Sequence, residues 1–311
     1  MRLLQIPNTE LKVSALCLGT AQLGLDMEDT VDALFNAFRD AGGNFLDTAH
    51  CYRFWADASG SSERAIAGYF RRNGGRDEMI VATKGGHTDA PGYRKVDGYM
   101  SPRRLAGDID DSLGRLECDC IDLYWLHRDD VRVPVAEVIE YLNQEVRLGR
   151  IRWFGGSNWT VARLAEANAY AADHGLRGFV ASQPEWSLGH CDRPVNVLQP
   201  VFDEASRAWH ARTGMPVMAY TPTARGYFAT GGASGADYDN AISRGRLKRA
   251  QNLARRIGRT PNQVALAYLM NHPFPIIPIL GTSSVDHLKD ALGAADTELS
   301  ADQVRWLRDG D

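Results

Sequence analysis

Cysteine is scarce in this chain. Its 311 residues include five, Cys17, Cys51, Cys118, Cys120 and Cys191, too few and too scattered for a disulfide framework. Cys118 and Cys120 are one residue apart, which is the spacing of neither a redox nor a zinc motif, so a packing role is expected. Long apolar runs are missing as well. No stretch approaches the ~18 residues of a membrane span. The opening "MRLLQIPNTELKVSALCLGT" has no extended apolar region and no small-residue cleavage site, and does not read as a signal peptide. There is no basic tract. The formal net charge is −4 and the two signs are interspersed, so neither nucleic acid nor a membrane surface is an expected partner. A cytoplasmic, reduced protein acting on a small molecule is the expectation these absences leave.

Apolar residues make up 44% of the chain, enough for a large core. Eight short runs recur: "VSALCLGT" (13–20), "NFLDTA" (44–49), "MIVATKGG" (79–86), "IDLYWLH" (121–127), "IRWFGGSN" (151–158), "GFVASQP" (178–184), "PVMAYTP" (216–222) and "IIPILGT" (276–282). Each is too short for a good helix and too continuous for a half-exposed strand, which suits strands buried on both faces. Helical patterns lie between them. Thr30 precedes "VDALFNAFRDAGG", with Leu34, Phe38 and Ala41 on one face and Gly42 at the end. Ser101-Pro102 and Thr160 read as helix starts, and Thr260 with Gln263 and Ser300 with Gln303 have capping-box spacing. Strand alternating with helix eight times predicts an α/β fold, a (β/α)8 TIM barrel, over residues 1–311 as one domain. Residues 1–12 fit an N-terminal β-hairpin, and the pattern from Ser300 adds an extra C-terminal helix. The alternative is an open doubly wound sheet. It usually carries G-x-G-x-x-G after its first strand, where this chain has "LGTAQLG". Two long connections, 85–100 and 223–239, follow strand ends and are candidate covers for a pocket.

In a barrel the carboxyl ends of the strands face one pocket. The runs deliver Asp47 with Tyr52 just beyond, then Lys84, His127, Ser157 and Asn158, Gln183 and Tyr220. Singly, each has a plain structural role: a hydrogen-bonding His, a solvated Lys, a packed Tyr. Jointly they have a chemical one. A tyrosine, with an ordinary pKa of about 10, is a weak acid at neutral pH. A nearby ammonium lowers that value, and Asp47 would hold Lys84 charged and oriented. A neutral His127 would position a carbonyl oxygen. The set makes a proton-donating site for a carbonyl becoming an alkoxide. It needs a hydride source, because no nucleophile elbow or convincing metal cluster is present. Asp47, His50 and Cys51 should diverge around a loop rather than hold a metal.

At these residues the sequence resembles the aldo-keto reductase superfamily, in its short bacterial-type branch. "NFLDTAHCY", "VATKGG", "IDLYWLH", "GRIRWFGGSNW", "SQPEWSL", "MAYTPTARGYF" and "IIPILGTSSVDHLKDAL" match its motifs in order. The resemblance covers nearly the whole chain. It implies a nicotinamide cofactor bound extended on a barrel. Asp47, Tyr52, Lys84 and His127 match the catalytic tetrad, and Asp47 with Gly19 and Thr20 also counts among residues near the cofactor. Ser157, Asn158 and Gln183 match residues that hold the nicotinamide carboxamide, and Tyr220 the aromatic stacked on its ring. Thr221 and Gly226 lie in the pyrophosphate loop. Gly281, Thr282, Ser283, His287 and Asp290 match the adenosine-phosphate segment. Family habit points to NADPH. Gly281 and His287 stand where a Lys or Arg often meets the 2′-phosphate, so NADH stays open.

The sequence ends soon after its last helical pattern, so the long C-terminal loop of the steroid enzymes is not expected. Phe54, Trp55, Trp125 and Trp186 are candidate flat walls for a sugar ring or aromatic aldehyde, with His50 and His87 as polar fixings. Packing inside the barrel is the equal alternative for Trp125. The expected activity is reversible NAD(P)H-dependent reduction of an aldehyde, ketone or sugar carbonyl. Two rivals are a non-catalytic nicotinamide sensor of the potassium-channel β-subunit type and a cofactor-free hydrolase or isomerase. The second leaves Ser157, Asn158 and Gln183 without roles.

Overall fold

A computed structural model of the chain describes residues 1–56, 59–88, 98–192 and 198–310. The chain begins with an antiparallel hairpin of β1 (Leu3–Gln5) and β2 (Lys12–Ser14). Eight parallel strands then close into a barrel: β3 (Cys17–Gly19), β4 (Phe45–Asp47), β5 (Ile80–Gly85), β6 (Ile121–Leu126), β7 (Ile151–Ser157), β8 (Ser182–Gln183), β9 (Val217–Ala219) and β10 (Ile276–Gly281). Neighbours in sequence are neighbours in the barrel, and β10 seals it by pairing Gly281 with Gly19. Each of the eight apolar runs contains one barrel strand. The first run divides, however. Val13 and Ser14 belong to the hairpin, which reaches further than residue 12, and the barrel strand starts at Cys17. The bend between them is tied by Ser14 Oγ donating to the Leu16 carbonyl and by Asn44 Oδ1 accepting from the Ser14 amide, at 2.7 Å each.

The hairpin has a physical task. Ile6, Leu11 and Val13 pack against the inward-facing Cys17, Phe45, Leu123, Met218 and Ile277, so they plug the amino-terminal end of the barrel. The interior is then a packed core open to chemistry only at the other end.

Among the described residues ten helices surround the strands: α1 (Glu28–Asp40), α2 (Ser61–Asn73), α3 (Pro102–Leu116), α4 (Val135–Arg147), α5 (Val161–Asp173), α6 (Glu204–Thr213), α7 (Ala241–Ile257), α8 (Pro261–Met270), α9 (Val285–Leu292) and α10 (Ala301–Asp309). The expected starts are present. Thr160 accepts from the Arg163 amide, and Thr260 and Ser300 each form a capping box with the Gln three residues on. The first helix begins two residues before Thr30, and Gly42 beyond its end has φ +78°. The sequence pattern gave no sign of α7. Its charged surface hides a narrow stripe of Leu247, Ala250, Leu253 and Ala254, which packs against α8 and α10. α8 is apolar all round because it lies between α7, α9 and β10.

Of the two long connections, 223–239 folds into two single turns, and its Tyr227, Phe228 and Tyr238 join the core beneath α7. Most of the other, residues 89–97, lies outside the described residues. Among the described residues, no helix is long and apolar enough to cross a membrane.

Candidate active site

Polar residues end the apolar strands at one rim. Asp47 is the last residue of β4, Ser157 of β7 and Gln183 of β8. Lys84 is next to last in β5, and His127 and Tyr220 immediately follow β6 and β9. The register aligns them, with Asp47 opposite Gly19 and Ser157 opposite Gln183. Backbone hydrogen bonds continue a residue or more past several of these ends, as from the His50 amide to the Lys84 carbonyl and from the Asn158 amide to the Gln183 carbonyl, which holds the rim in place.

Lys84 is the hub. Its ammonium, fully buried, donates to Asp47 Oδ2, to the Thr48 carbonyl at 2.8 Å and to Tyr52 Oη at 3.0 Å. Three acceptors satisfy its three protons. The Gln183 amide donates to Asp47 Oδ1 at 3.0 Å, so both carboxylate oxygens are held. Burial alone would discharge the lysine, but Asp47 and Tyr52 together outweigh it and raise its pKa. Burial likewise lifts Asp47 above the ordinary carboxylate value while the Lys84 charge pulls it down.

Tyr52 corrects one expectation. Burial raises the phenol above its ordinary value, and Asp47 adds to that. The Lys84 charge opposes both without prevailing. The resting phenol is therefore protonated rather than partly ionised. His127 is buried, and burial first, then the nearby positive charge, drives its pKa well below the usual imidazole value. That shift favours the neutral imidazole. Its ring meets Tyr52 edge-on, with centroids 5.8 Å apart.

Beside this group lies a second one. Ser157 Oγ is 3.0 Å from the Gln183 carbonyl and 3.3 Å from its side-chain oxygen. Asn158 donates to the His127 carbonyl and to Ser157 Oγ. It sits at φ +60°, a left-handed conformation that asparagine tolerates better than most residues. Tyr220 donates to Asn158 Oδ1 and receives a hydrogen bond from Gln199 at 3.1 Å. Thr20 is fully buried behind Asp47, bonded to the Asp47 carbonyl and to Ser62 of α2. Gly19 lies tight against β10, where a Cβ would stand 2.8 Å from Ile279 Cγ2. Thr221 and Gly226 lie on the loop after β9, and Gly226 has φ +82°.

At the start of α9 the turn Gly281–Ser284 is open. Gly281, Ser283 and His287 are exposed, and nothing lies within 4 Å of a Cβ placed on Gly281. Thr282 Oγ1 accepts from the Ser284 amide. Asp290 requires a correction. Its carboxylate is taken up by Thr260 Oγ1 at 2.9 Å and Asn262 Nδ2 at 2.8 Å, which locks α9 to the start of α8.

Two tryptophans also depart from the expected walls. Trp125 is fully buried inside the barrel, against Gly155 of the next strand. Trp186 packs outside the barrel with Phe202, Tyr268, His272 and Phe274. Trp125 shares the inward face of β6 with His127 two residues on and so lies one layer below the mouth, whereas Trp186 lies beyond the end of β8 and turns into the cluster under α7 and α8. His50 is engaged by Asp111 of α3 at 2.9 Å, so it ties its loop to that helix. Phe54 and the exposed Trp55 follow Tyr52 on the same loop, their rings edge-on to each other at 5.5 Å. His87 reaches the group, its ring 4.6 Å from that of His127. Sequence reasoning missed the Thr48 carbonyl, a main-chain group with no residue signature. It also missed Gln199, far along the chain, and, having weighed Cys51 only with Asp47 and His50, missed that its Sγ lies 3.6 Å from His127 Nδ1.

The fold and these motifs have relatives. The profile described as aldo/keto reductase family matches residues 15–309. The chain is 31% identical to an uncharacterised oxidoreductase, YrpG, of Bacillus subtilis, over 97% of this chain and 93% of that one. It is 29% identical to norsolorinic acid reductase B of Aspergillus parasiticus, covering 97% and 81% of the two chains. It is also 29% identical to an aryl-alcohol dehydrogenase [NADP(+)] of Phanerodontia chrysosporium, covering 97% and 84%. The crystal structure of the thermostable aldo-keto reductase Tm1743, bound to the inhibitor epalrestat, shares the fold with a TM-score of 0.75 over 99% of both chains, at 21% identity. A barrel closed by these strands, with a profile match over almost its whole length, makes the chain a member of the aldo/keto reductase family.

Proposed function

We propose that the protein is an oxidoreductase that reversibly reduces the carbonyl of an aldehyde, ketone or sugar, with a nicotinamide cofactor and Tyr52 as proton donor. One observation carries the reading: Tyr52 Oη lies 3.0 Å from a buried ammonium that is itself held by Asp47.

The donor set fits the cofactor. The Ser157 hydroxyl and the Asn158 and Gln183 amides offer donors and acceptors together, as a carboxamide requires, and the Tyr220 ring stands beside Asn158. The open turn at Gly281–Ser284 and the amides at the start of α9 suit a phosphate. Bound there, the cofactor supplies the hydride. Tyr52 delivers a proton to the developing alkoxide. Lys84 stabilises the phenolate left behind, and the ammonium is kept charged by Asp47, which Gln183 anchors. His127, neutral, donates a hydrogen bond that orients the carbonyl oxygen. The turn at 281–287 has no Lys or Arg. NADPH is the proposed cofactor, in line with family habit and the fungal dehydrogenase, with NADH as the alternative. Phe54 and Trp55 on the loop after Tyr52, and a relative named for aryl alcohols, favour aromatic carbonyl substrates.

The test is a panel of aromatic aldehydes, ketones and sugars run with NADPH and with NADH, following absorbance of the reduced nicotinamide. Carbonyl-dependent oxidation is expected with at least one aromatic aldehyde. Tyr52→Phe should lower turnover by at least ~10²-fold, the lower end for a general acid, with cofactor affinity little changed. Cofactor binding without any carbonyl-dependent oxidation would instead indicate a sensor.

A further inference from the structure

Cys51, His87 and His127 bring one ligand atom each within 4.8 Å of one another at the barrel mouth. The three come from two different loops and the end of β6, so only the closed barrel assembles them. Cys51 and His127 are buried and His87 is half-buried. The sulfur lies 3.6 Å from His127 Nδ1. A tetrahedral zinc ion with Zn–S of about 2.3 Å and Zn–N of about 2.0–2.1 Å holds a sulfur and a nitrogen about 3.6 Å apart. That pair is thus already at ligand spacing. Closing the third atom in asks a movement of about 1 Å, within the reach of a side-chain rotation at His87.

We propose that Cys51, His87 and His127 form a zinc-binding site, and that Zn²⁺ there reversibly inhibits the enzyme. One thiolate and two imidazoles are a borderline-soft donor set, suited to zinc rather than to magnesium or calcium. Three protein ligands leave a fourth position for water. Binding releases the thiol proton of Cys51 to solvent, and zinc changes no oxidation state. Lys84 and Arg128 place positive charge nearby, which opposes a dication, and the thiolate offsets part of it. Affinity is therefore expected to be about micromolar rather than that of a structural zinc site. Inhibition follows because the ion and the water at its fourth position occupy the space beside Tyr52 and His127 that the substrate carbonyl would take. This consequence rests on the proposed reductase activity, but the binding does not.

Two measurements separate the two. First, the full-length protein, stripped with chelator, is titrated with Co²⁺ while the near-ultraviolet thiolate-to-cobalt charge-transfer band is followed, and Zn²⁺ is then used to displace it. One equivalent should bind with that band. Cys51→Ser should abolish the band and weaken Zn²⁺ binding by at least about 100-fold. Second, Zn²⁺ should inhibit carbonyl reduction in step with occupancy and a chelator should restore it. Cys51→Ser, compared with its own zinc-free rate, should be insensitive at the same Zn²⁺ concentration. An absent band, or equal Zn²⁺ affinity in Cys51→Ser, would overturn the site and leave the 3.6 Å contact as an S–H···N hydrogen bond. Binding at the site with undiminished or increased turnover would overturn the inhibition. A protein with no reductase activity would fail the functional reading, and the cobalt spectrum would still decide the site.

Discussion

The 3.0 Å contact between Tyr52 and Lys84 is the smallest unit on which the functional reading turns. Lys84 and Asp47 are both buried, so each depends on the other for its charge. Removing one partner of such a pair strands the other, which typically destabilises by about 3–5 kcal/mol. Lys84→Met should therefore lower the unfolding midpoint as well as activity. Asp47→Asn combined with Lys84→Met removes both charges and should recover much of that stability in thermal melts while staying inactive. If the double variant is no more stable than the single, the charge-stranding account fails. The sequence made these residues legible because each ends an apolar strand with a chemically unusual group. What it could not show was the direction of the Tyr52 shift. Burial outweighs the ammonium there, and burial is a property of the closed barrel.

Elements explain why the side chains are held so closely. Gly155 in β7 faces Trp125 in β6, and a Cβ on it would stand 2.3 Å from the indole ring. Its smallness is what lets a tryptophan lie inside the barrel directly below the site. Gly155→Ala should force Trp125 to shift, destabilise the fold by about 1–3 kcal/mol as overpacking does, and alter tryptophan fluorescence. A melt and spectrum unchanged from the parent would refute that packing argument. Strand and cap signals were legible here, since buried parallel strands read as short apolar runs and Thr260 and Ser300 as capping boxes. α7 was not. Its apolar stripe is narrow among basic residues, and only the position of α8 and α10 shows which side is buried.

At the scale of the molecule, stability depends on groups far from the site. His210 of α6 is buried, with Nε2 3.1 Å from Ser182 Oγ and Nδ1 2.9 Å from the Met215 carbonyl. Burial lowers its pKa from 6.5 to about 4. As pH falls through about 6.5, the unfolded chain takes up a proton that the folded chain refuses, so stability is lost until about pH 4. His272 acts in the same sense. Asp108 acts oppositely, because burial raises its pKa to about 6 and the folded chain takes the proton first. The contribution of His210 is isolated by difference. Between pH 7.5 and 4.5, wild type should lose stability relative to His210→Gln by an amount approaching about 3 kcal/mol. Parallel pH curves for the two would show that His210 is not excluded from protonation. The sequence by itself determined the order of the barrel strands, the starts of the capped helices, the barrel class and the residues at the strand ends, because these follow from local periodicity, caps and residue chemistry. Only the tertiary structure decided that Trp125 and Trp186 serve the core, that Asp290 and His50 brace helices, and that Cys51 and His87 meet His127. Those outcomes depend on which face of each strand and loop looks inward, and closure of the barrel sets that.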